Sequence, residues 1–293
     1  MLIRKTIGLP NYGNSCYFNA CMQILKIIYD HIEVDTNFYD IYYDVNKLKE
    51  LYIKLSNNEY RQEDCGEILS IFINNLNNIT NNFNIKYKRI LKCTLCGELN
   101  IMNEKREEID TILISNQLNY KSENDEITFD NMFSNIINKE HVSDTVAVEK
   151  FKAEYFKCSC SVNHIFTQVV LLEMPKFLII NVGRYNFVNN TTIIKNTCKL
   201  NIVDTFNITT PVNIKEIYNN VINNVINNYV LWGVVLHLGN TTESGHYLCY
   251  IKDININKWI LCNDSYIEVL ENFDINNITI KQNSYLLLYI KTS

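Results

Sequence analysis

Gly8-Leu9-Pro10-Asn11-Tyr12-Gly13-Asn14-Ser15-Cys16-Tyr17-Phe18-Asn19 is the stretch on which the reading of this chain turns, and Cys16 is its most informative residue. Cys21, Ile24, Leu25 and Ile28 follow three and four apart, one face of a helix that starts after the Gly13-Asn14-Ser15 turn. A cysteine at a helix start meets free backbone N–H groups and the positive end of the macrodipole, both of which favour a thiolate. A lone cysteine in such a place is more often a small buried hydrophobe, so a catalytic reading depends on partners elsewhere.

The base has to come from five histidines. His31 and His141 lie in polar or charged stretches and read as exposed, and His164 lies beside a cysteine pair. His237 falls inside an apolar strand and reads as a core histidine with satisfied nitrogens. His246 follows Gly245 and begins the run Tyr247-Leu248-Cys249-Tyr250-Ile251, which places an imidazole at the mouth of a sheet beside a flexible loop. A third group should fix its tautomer by accepting from Nδ1–H. Asn263 and Asp264 follow the next strand and are the candidates, with Trp259 just ahead to shield the imidazole. Cys, His, then Asn or Asp in chain order is the papain-like arrangement.

Composition sets the frame for that constellation. The chain has 293 residues and a formal net charge of −5, which allows one large domain or two small ones. A chain of this size buries roughly three-quarters of the surface its unfolded form exposes, so it needs no metal or disulfide merely to fold. Mild acidity without a basic block argues against a nucleic-acid partner. No apolar run approaches the roughly 18 residues of a membrane span, and the N-terminus lacks a secretory signal. The 45 asparagines and 41 isoleucines fit an AT-rich genome, because the asparagine runs fall between apolar segments in no ligand pattern. Ten cysteines, two in C-x₂-C and two in C-x-C, suit an intracellular protein that uses thiols for metal, catalysis or packing. The expected location is the cytoplasm or nucleus, of a host cell if the source is a large DNA virus. A monomer is expected.

Along the chain the texture changes from helix to strand. The first 85 residues read as helical, with Cys65, Ile68, Leu69, Phe72, Ile73 and Leu76 forming a second amphipathic stripe. Lys86–Leu95 and Glu108–Ile114 read as strands, and Thr128–Ile137 as a short helix capped by Thr128. Phe166–Glu173, Phe177–Val182, Tyr229–Leu238, Tyr247–Ile251, Lys258–Cys262 and Tyr285–Ile290 read as strands. The Asn-rich Tyr218–Tyr229, with its period of four, reads as helix or loop. Helices first and strands later, with no linker, predict a single α+β domain over 1–293.

These residues resemble the ubiquitin-specific protease family. Residues 8–19 resemble its cysteine box, and Gly245-His246-Tyr247 with Trp259 and Asn263-Asp264-Ser265 its histidine box. Arg61-Gln62-Glu63-Asp64-Cys65-Gly66-Glu67-Ile68-Leu69 resembles the Gln-rich helix motif. Met174-Pro175-Lys176-Phe177-Leu178 running to Gly183-Arg184-Tyr185, and the terminal Tyr285–Tyr289, resemble two family strands. The motifs stand in the family's order and span nearly the whole chain. The resemblance implies a papain-like fold: a helical thumb over about 1–85, zinc-finger-like β fingers over about 86–165 plus part of 185–230, and a β palm mainly over 166–293. It implies a nucleophile at Cys16, a base at His246, an orienting residue at Asn263, with Asp264 able to share that task, and an oxyanion donor at Asn11. It implies that Asp64 and Glu67 hold the basic tail of ubiquitin, a role suited to charge-assisted pairing. The activity implied is hydrolysis after the C-terminal glycine of ubiquitin through a thioester, with no cofactor for catalysis. Alternatives are an isopeptidase for another ubiquitin-like modifier, or an inactive ubiquitin-binding module. The chain starts just before its cysteine box and ends just after the last strand, so no separate targeting domain is expected. It departs from the family pattern at Cys65, at Gly66 in a helix interior, and at Val182-Gly183-Arg184-Tyr185, where the family has Leu-Lys-Arg-Phe.

Cys93-Thr94-Leu95-Cys96-Gly97 reads as a zinc knuckle, two thiolates three apart with a glycine for the turn. The resemblance implies a second pair for a structural zinc site, normally another C-x₂-C and here Cys158 and Cys160. C-x-C bites at a different angle from C-x₂-C, and His164 is an alternative to one of these sulfurs.

Overall fold

Helix α1 (Cys16–Ile32) begins at the cysteine that the spacing picks out, and its first fourteen residues are all buried, around the whole circumference. Three of them are polar and each is held. Asn19 Nδ2 donates to the carbonyls of Leu9 and Pro10, both at 3.2 Å, and to Asp264 Oδ1 at 2.7 Å. Gln23 Nε2 donates to the Ile7 carbonyl at 2.8 Å, and its Oε1 accepts from Tyr42 Oη at 2.7 Å. Lys26 Nζ pairs with Asp30 Oδ2 at 2.6 Å. Three- and four-residue spacing puts this polar row on one side of the helix, where Asn19 and Gln23 clasp the segment that precedes it.

The computed structural model describes residues 4–32, 36–56, 61–75, 80–93, 95–101, 107–110, 116–117, 125–128, 139–142, 165–188, 192–211, 224–241 and 244–292. Three further helices complete the N-terminal part: α2 (Thr36–Tyr42), α3 (Val45–Leu55) and α4 (Cys65–Asn74). Asp44 caps α3 and Asp64 caps α4, each side chain accepting from two backbone N–H groups of the first turn.

Among the described residues the main sheet has eight strands. Its path runs β16 (Tyr266–Val269), β15 (Lys258–Asn263), β14 (His246–Asp253), β13 (Asn224–Leu238), β17 (Ser284–Thr292), β8 (Phe177–Gly183) and β4 (Asn116–Gln117), with β12 (Thr205–Pro211) on β13. Both faces are covered. Tyr247, Cys249, Ile251, Leu286, Leu288 and Ile290 pack under α1, while Leu287, Tyr289, Leu178 and Ile180 join a second core on the other side. Burial on two sides explains why Tyr285–Ile290 reads as an unbroken apolar run rather than an alternating one. On β13 the pairing with β17 slips between Leu231 and Gly233, a bulge at Trp232. A Cβ on Gly233 would lie 2.7 Å from Ile24 Cδ1, so the glycine lets α1 approach the sheet.

A second sheet centres on β1 (Asn84–Cys93), flanked by β7 (Ile165–Glu173), β2 (Leu99–Ile101) and β3 (Glu107–Asp110), with β6 (Lys139–Val142) on β7. Short pairs join β5 (Glu126–Thr128) to β11 (Lys199–Asn201) and β9 (Tyr185–Val188) to β10 (Thr192–Lys195), and helix α5 (Ile278–Asn283) precedes β17. The architecture is α+β, as expected. Among the described residues no helix is long and apolar enough to cross a membrane.

Three readings change. Asn224–Tyr229, expected as helix or loop, belongs to β13, because β12 supplies a partner for it and Asn227 turns inward to donate to the Ile208 carbonyl at 3.0 Å. Thr128 ends β5 rather than capping a helix; the rest of that predicted helix lies outside the described residues. His31 is half-buried in the last turn of α1 against Trp232, with Nδ1 on the Ile27 carbonyl at 2.8 Å, and burial lowers its pKa.

Candidate active site

The turn before Cys16 is organised by Asn11. Its Oδ1 accepts from the backbone N–H of Gly13 (3.0 Å), the N–H of Ser15 (3.2 Å) and Ser15 Oγ (3.2 Å). Gly13 and Asn14 both take positive φ, 94° and 54°, values that glycine and asparagine tolerate best. The chain therefore doubles back at residues 11–15 and delivers Cys16 as the first, buried residue of α1. Asn11 itself is exposed, and its Nδ2 donates to Asp264 Oδ2 at 2.9 Å.

His246 starts β14 and Asn263 ends β15. Cys249 faces Cys262 across this hairpin, so His246 and Asn263 are diagonal neighbours on its other face, within side-chain reach. His246 Nε2 lies 2.6 Å from Asn263 Oδ1. The orienting bond thus uses Nε2, not the expected Nδ1, and leaves Nδ1 as the nitrogen that faces the thiol. The hydrogen bond with Cys16 is the largest cause of a His246 pKa raised to about 9; the Asn263 bond and the Asp264 charge add to it, and burial opposes it. An imidazole so placed holds its proton at neutral pH beside the thiol. Trp259 does not shield it: it pairs with Lys252 toward the far end of the hairpin and stacks on Phe273 at 4.1 Å.

Asp264 has φ +50°, and both its carboxylate oxygens go to asparagines of the cysteine segment, Asn11 and Asn19. Its carbonyl accepts from Leu9 N–H at 2.9 Å. The orienting hydrogen bond to the imidazole is therefore Asn263's, and Asp264 acts on His246 through charge. Gly8 fits the same junction, for a Cβ there would lie 2.2 Å from the Ser265 carbonyl oxygen.

The two predicted tail-binding carboxylates differ. Asp64 Oδ1 caps α4 through Gly66 N–H (2.7 Å) and Glu67 N–H (3.0 Å), and its Oδ2 accepts from Tyr285 Oη. Glu67 is exposed, with a pKa raised by burial of its surroundings and by the charges of Asp64 and Glu63. His237 meets its expectation as a satisfied core histidine: Gln62 Nε2 approaches its Nε2 at 3.2 Å and Tyr185 Oη its Nδ1. Tyr185 is itself set by the fully buried Arg184, which donates to the carbonyls of Ser284, Asn196, Cys198 and Lys281.

At the knuckle, Cys93 N–H donates to the Glu98 carbonyl (2.9 Å) and Gly97 N–H to the Cys93 carbonyl (3.1 Å), with Gly97 at φ +74°. Cys93 is buried and Cys96 exposed. This tight turn fits one half of a thiolate site. Cys158, Cys160 and His164 lie outside the described residues. Among the described residues no cluster of three or more metal-binding side chains occurs.

Sequence reading gave no role to Asn19, Gly8 or Tyr285, all of which hold the site's parts together. Asn19 had a local signal, a polar residue on the apolar first turn of α1; the other two act through contacts remote in sequence.

A family profile described as ubiquitin carboxyl-terminal hydrolase matches residues 26–289. Ubiquitin carboxyl-terminal hydrolase 42 of Homo sapiens is 39% identical over 64 residues, 22% of this chain and 4% of that protein. Ubiquitin carboxyl-terminal hydrolase 26 of Oryza sativa subsp. japonica is 21% identical over 303 residues, 90% of this chain and 26% of that protein. The matched segments thus span 4% and 26% of these curated relatives' own length. Among solved structures, a SAGA DUB module (Ubp8/Sgf11/Sus1/Sgf73) bound to monoubiquitin superposes with a TM-score of 0.72 at 16% identity, over 98% of this chain and 69% of that one. The module bound to ubiquitin aldehyde gives 0.70 at 17%, over 100% and 71%. With the profile spanning most of its length, this chain belongs to the ubiquitin carboxyl-terminal hydrolase family.

Proposed function

We propose that this chain is a cysteine-type deubiquitinase that hydrolyses the isopeptide or peptide bond after the C-terminal glycine of ubiquitin. The observation that carries the reading is the line Cys16, His246, Asn263, in which one imidazole bonds the thiol and the amide oxygen at once. In the proposed mechanism the Cys16 proton resides on His246 and the thiolate attacks the glycine carbonyl. Asn11 Nδ2 has two hydrogens; one is directed at Asp264, and the other, with a backbone N–H near Cys16, holds the developing oxyanion. His246 then gives its proton to the leaving lysine amine, and water releases the thioester. Glu67 holds an arginine of the incoming tail, while Asp64 contributes charge from its capping position.

Cleavage of ubiquitin chains by wild type, with none by Cys16→Ala, is the expected result. Retention of cleavage by Cys16→Ala would falsify the assignment. A panel of electrophilic probes built on ubiquitin and on ubiquitin-like modifiers identifies the modifier, and ubiquitin binding without labelling of Cys16 would instead mark an inactive binding module. We also propose that Cys93 and Cys96, with Cys158 and Cys160, hold a structural zinc. Elemental analysis of purified protein is expected to find one equivalent; less than about half, with intact thiols, sinks this part.

A further inference from the structure

His237 is fully buried in β13, next to Leu238, the residue that pairs with His246 across the hairpin. Two contacts meet its ring, Gln62 Nε2 at Nε2 and Tyr185 Oη at Nδ1, and in a third the same Tyr185 hydroxyl reaches the Thr241 carbonyl, 3.2 Å away. For a neutral ring only one assignment of hydrogens serves all three contacts. Gln62 donates an amide hydrogen to Nε2, Nδ1 then carries the ring proton and donates to Tyr185 Oη, and the hydroxyl hydrogen goes to Thr241. With the Gln62 amide turned over, the hydroxyl would have to donate to Nδ1, and the Thr241 carbonyl would lose its donor.

Thr241 belongs to the loop that leads into His246. At the end of that loop, a Cβ on Gly245 would lie 2.4 Å from His237 Nε2 and 2.8 Å from the Leu238 carbonyl. His237 therefore touches the residue that precedes the base and, through Tyr185, ties down the loop on its other side. We propose that neutral His237 is a positioning residue for His246: with Gln62 and Tyr185 it sets Thr241 and Gly245, and through them the pairing of His246 with Cys16. This rests on the reading of Cys16 and His246 as nucleophile and base.

The surroundings keep the ring neutral. Lys195 Nζ donates to the His237 carbonyl from β10, the Tyr247 ring lies 4.4 Å away and the Tyr285 ring 6.0 Å. Burial, then the charges of Lys195 and His246, push its pKa down to about 4. Tyr185 stands at a position where the family pattern quoted above has phenylalanine.

The test compares wild type, Tyr185→Phe, His237→Gln and His237→Leu from pH 6 to 10. Two readouts are taken on the full chain: steady-state hydrolysis of a fluorogenic ubiquitin C-terminal amide, and alkylation of Cys16 by iodoacetamide. Tyr185→Phe is expected to lower kcat about tenfold and leave KM within about twofold, as a small misplacement of a catalytic group does. The alkaline limb of kcat and the matching inflection in alkylation should move to lower pH, because His246 loses part of the Cys16 bond that raises its pKa. His237→Gln, whose amide can accept from Gln62 and donate to Tyr185, should keep more activity than His237→Leu. Unchanged kcat and an unmoved limb in Tyr185→Phe and His237→Leu overturn the proposal. A fall in kcat with the limb fixed also overturns it, since that marks a merely structural role. Wild type inert toward ubiquitin would defeat the functional reading instead, and the alkylation inflection would still decide this one.

Discussion

His237 and His246 stand side by side in one hairpin, yet their imidazoles are driven in opposite directions. His237 is enclosed by neutral donors and acceptors and by positive neighbours, and its pKa falls to about 4. His246 is bound by a thiol and an amide oxygen with a carboxylate nearby, and its pKa rises to about 9. The residue type is the same and the two strands are paired neighbours, so it is the partners around each ring that drive the two imidazoles apart.

The largest break in the contrast comes from exchanging each for glutamine. His246→Gln removes the proton carrier and should cut turnover of a ubiquitin amide by about 10³-fold or more, whereas His237→Gln should cost far less. Next, the neutral histidine makes stability depend on acid. Its folded pKa lies below the unfolded value, so its contribution is intact above about pH 6.5 and is lost as pH falls through that value toward 4. About 3 kcal/mol should disappear over that window, read as a urea-midpoint slope that flattens in His237→Gln. Gly245→Ala should then disturb both rings at once, because its Cβ needs the space of His237 Nε2; kcat is expected to fall about 10²-fold with the fold retained. The smallest effect sharpens the contrast without mutation. The kcat of wild type should be roughly halved near pH 9 and fall further above it, as His246 loses the proton that the leaving amine needs.

What could be read in the sequence was local. The Cys16 helix start, the Cys65 stripe and the two-sided run at Tyr285–Ile290 follow from spacing within a single element, and the triad candidates each sit at an element's end. The nitrogen that Asn263 binds was not legible, because it depends on the ring's rotation in a hairpin whose register the sequence leaves open. The double role of Asp264 toward Asn11 and Asn19 was equally hidden, since it joins residues from opposite ends of the chain. The asparagine repeat around Tyr229 misled for a related reason: its period fits a helix, but β12 gives it a partner that no window of sequence contains. Asp64 kept its helix position but revealed a capping duty that competes for its oxygens.

One feature of the sheet sets an order in time. β17 lies between β13 and β8, so the strands that bear His246 and Asn263 reach β8 only through the last strand of the sheet to be made. A ribosome extrudes Cys16 early, yet helix α1 has half of its sheet to lean on until residues 284–292 slot into the middle. Contacts of such long sequence separation form late. A chain emerging during synthesis should therefore carry its thiol without its chemistry, and become active only when that final strand closes the sheet.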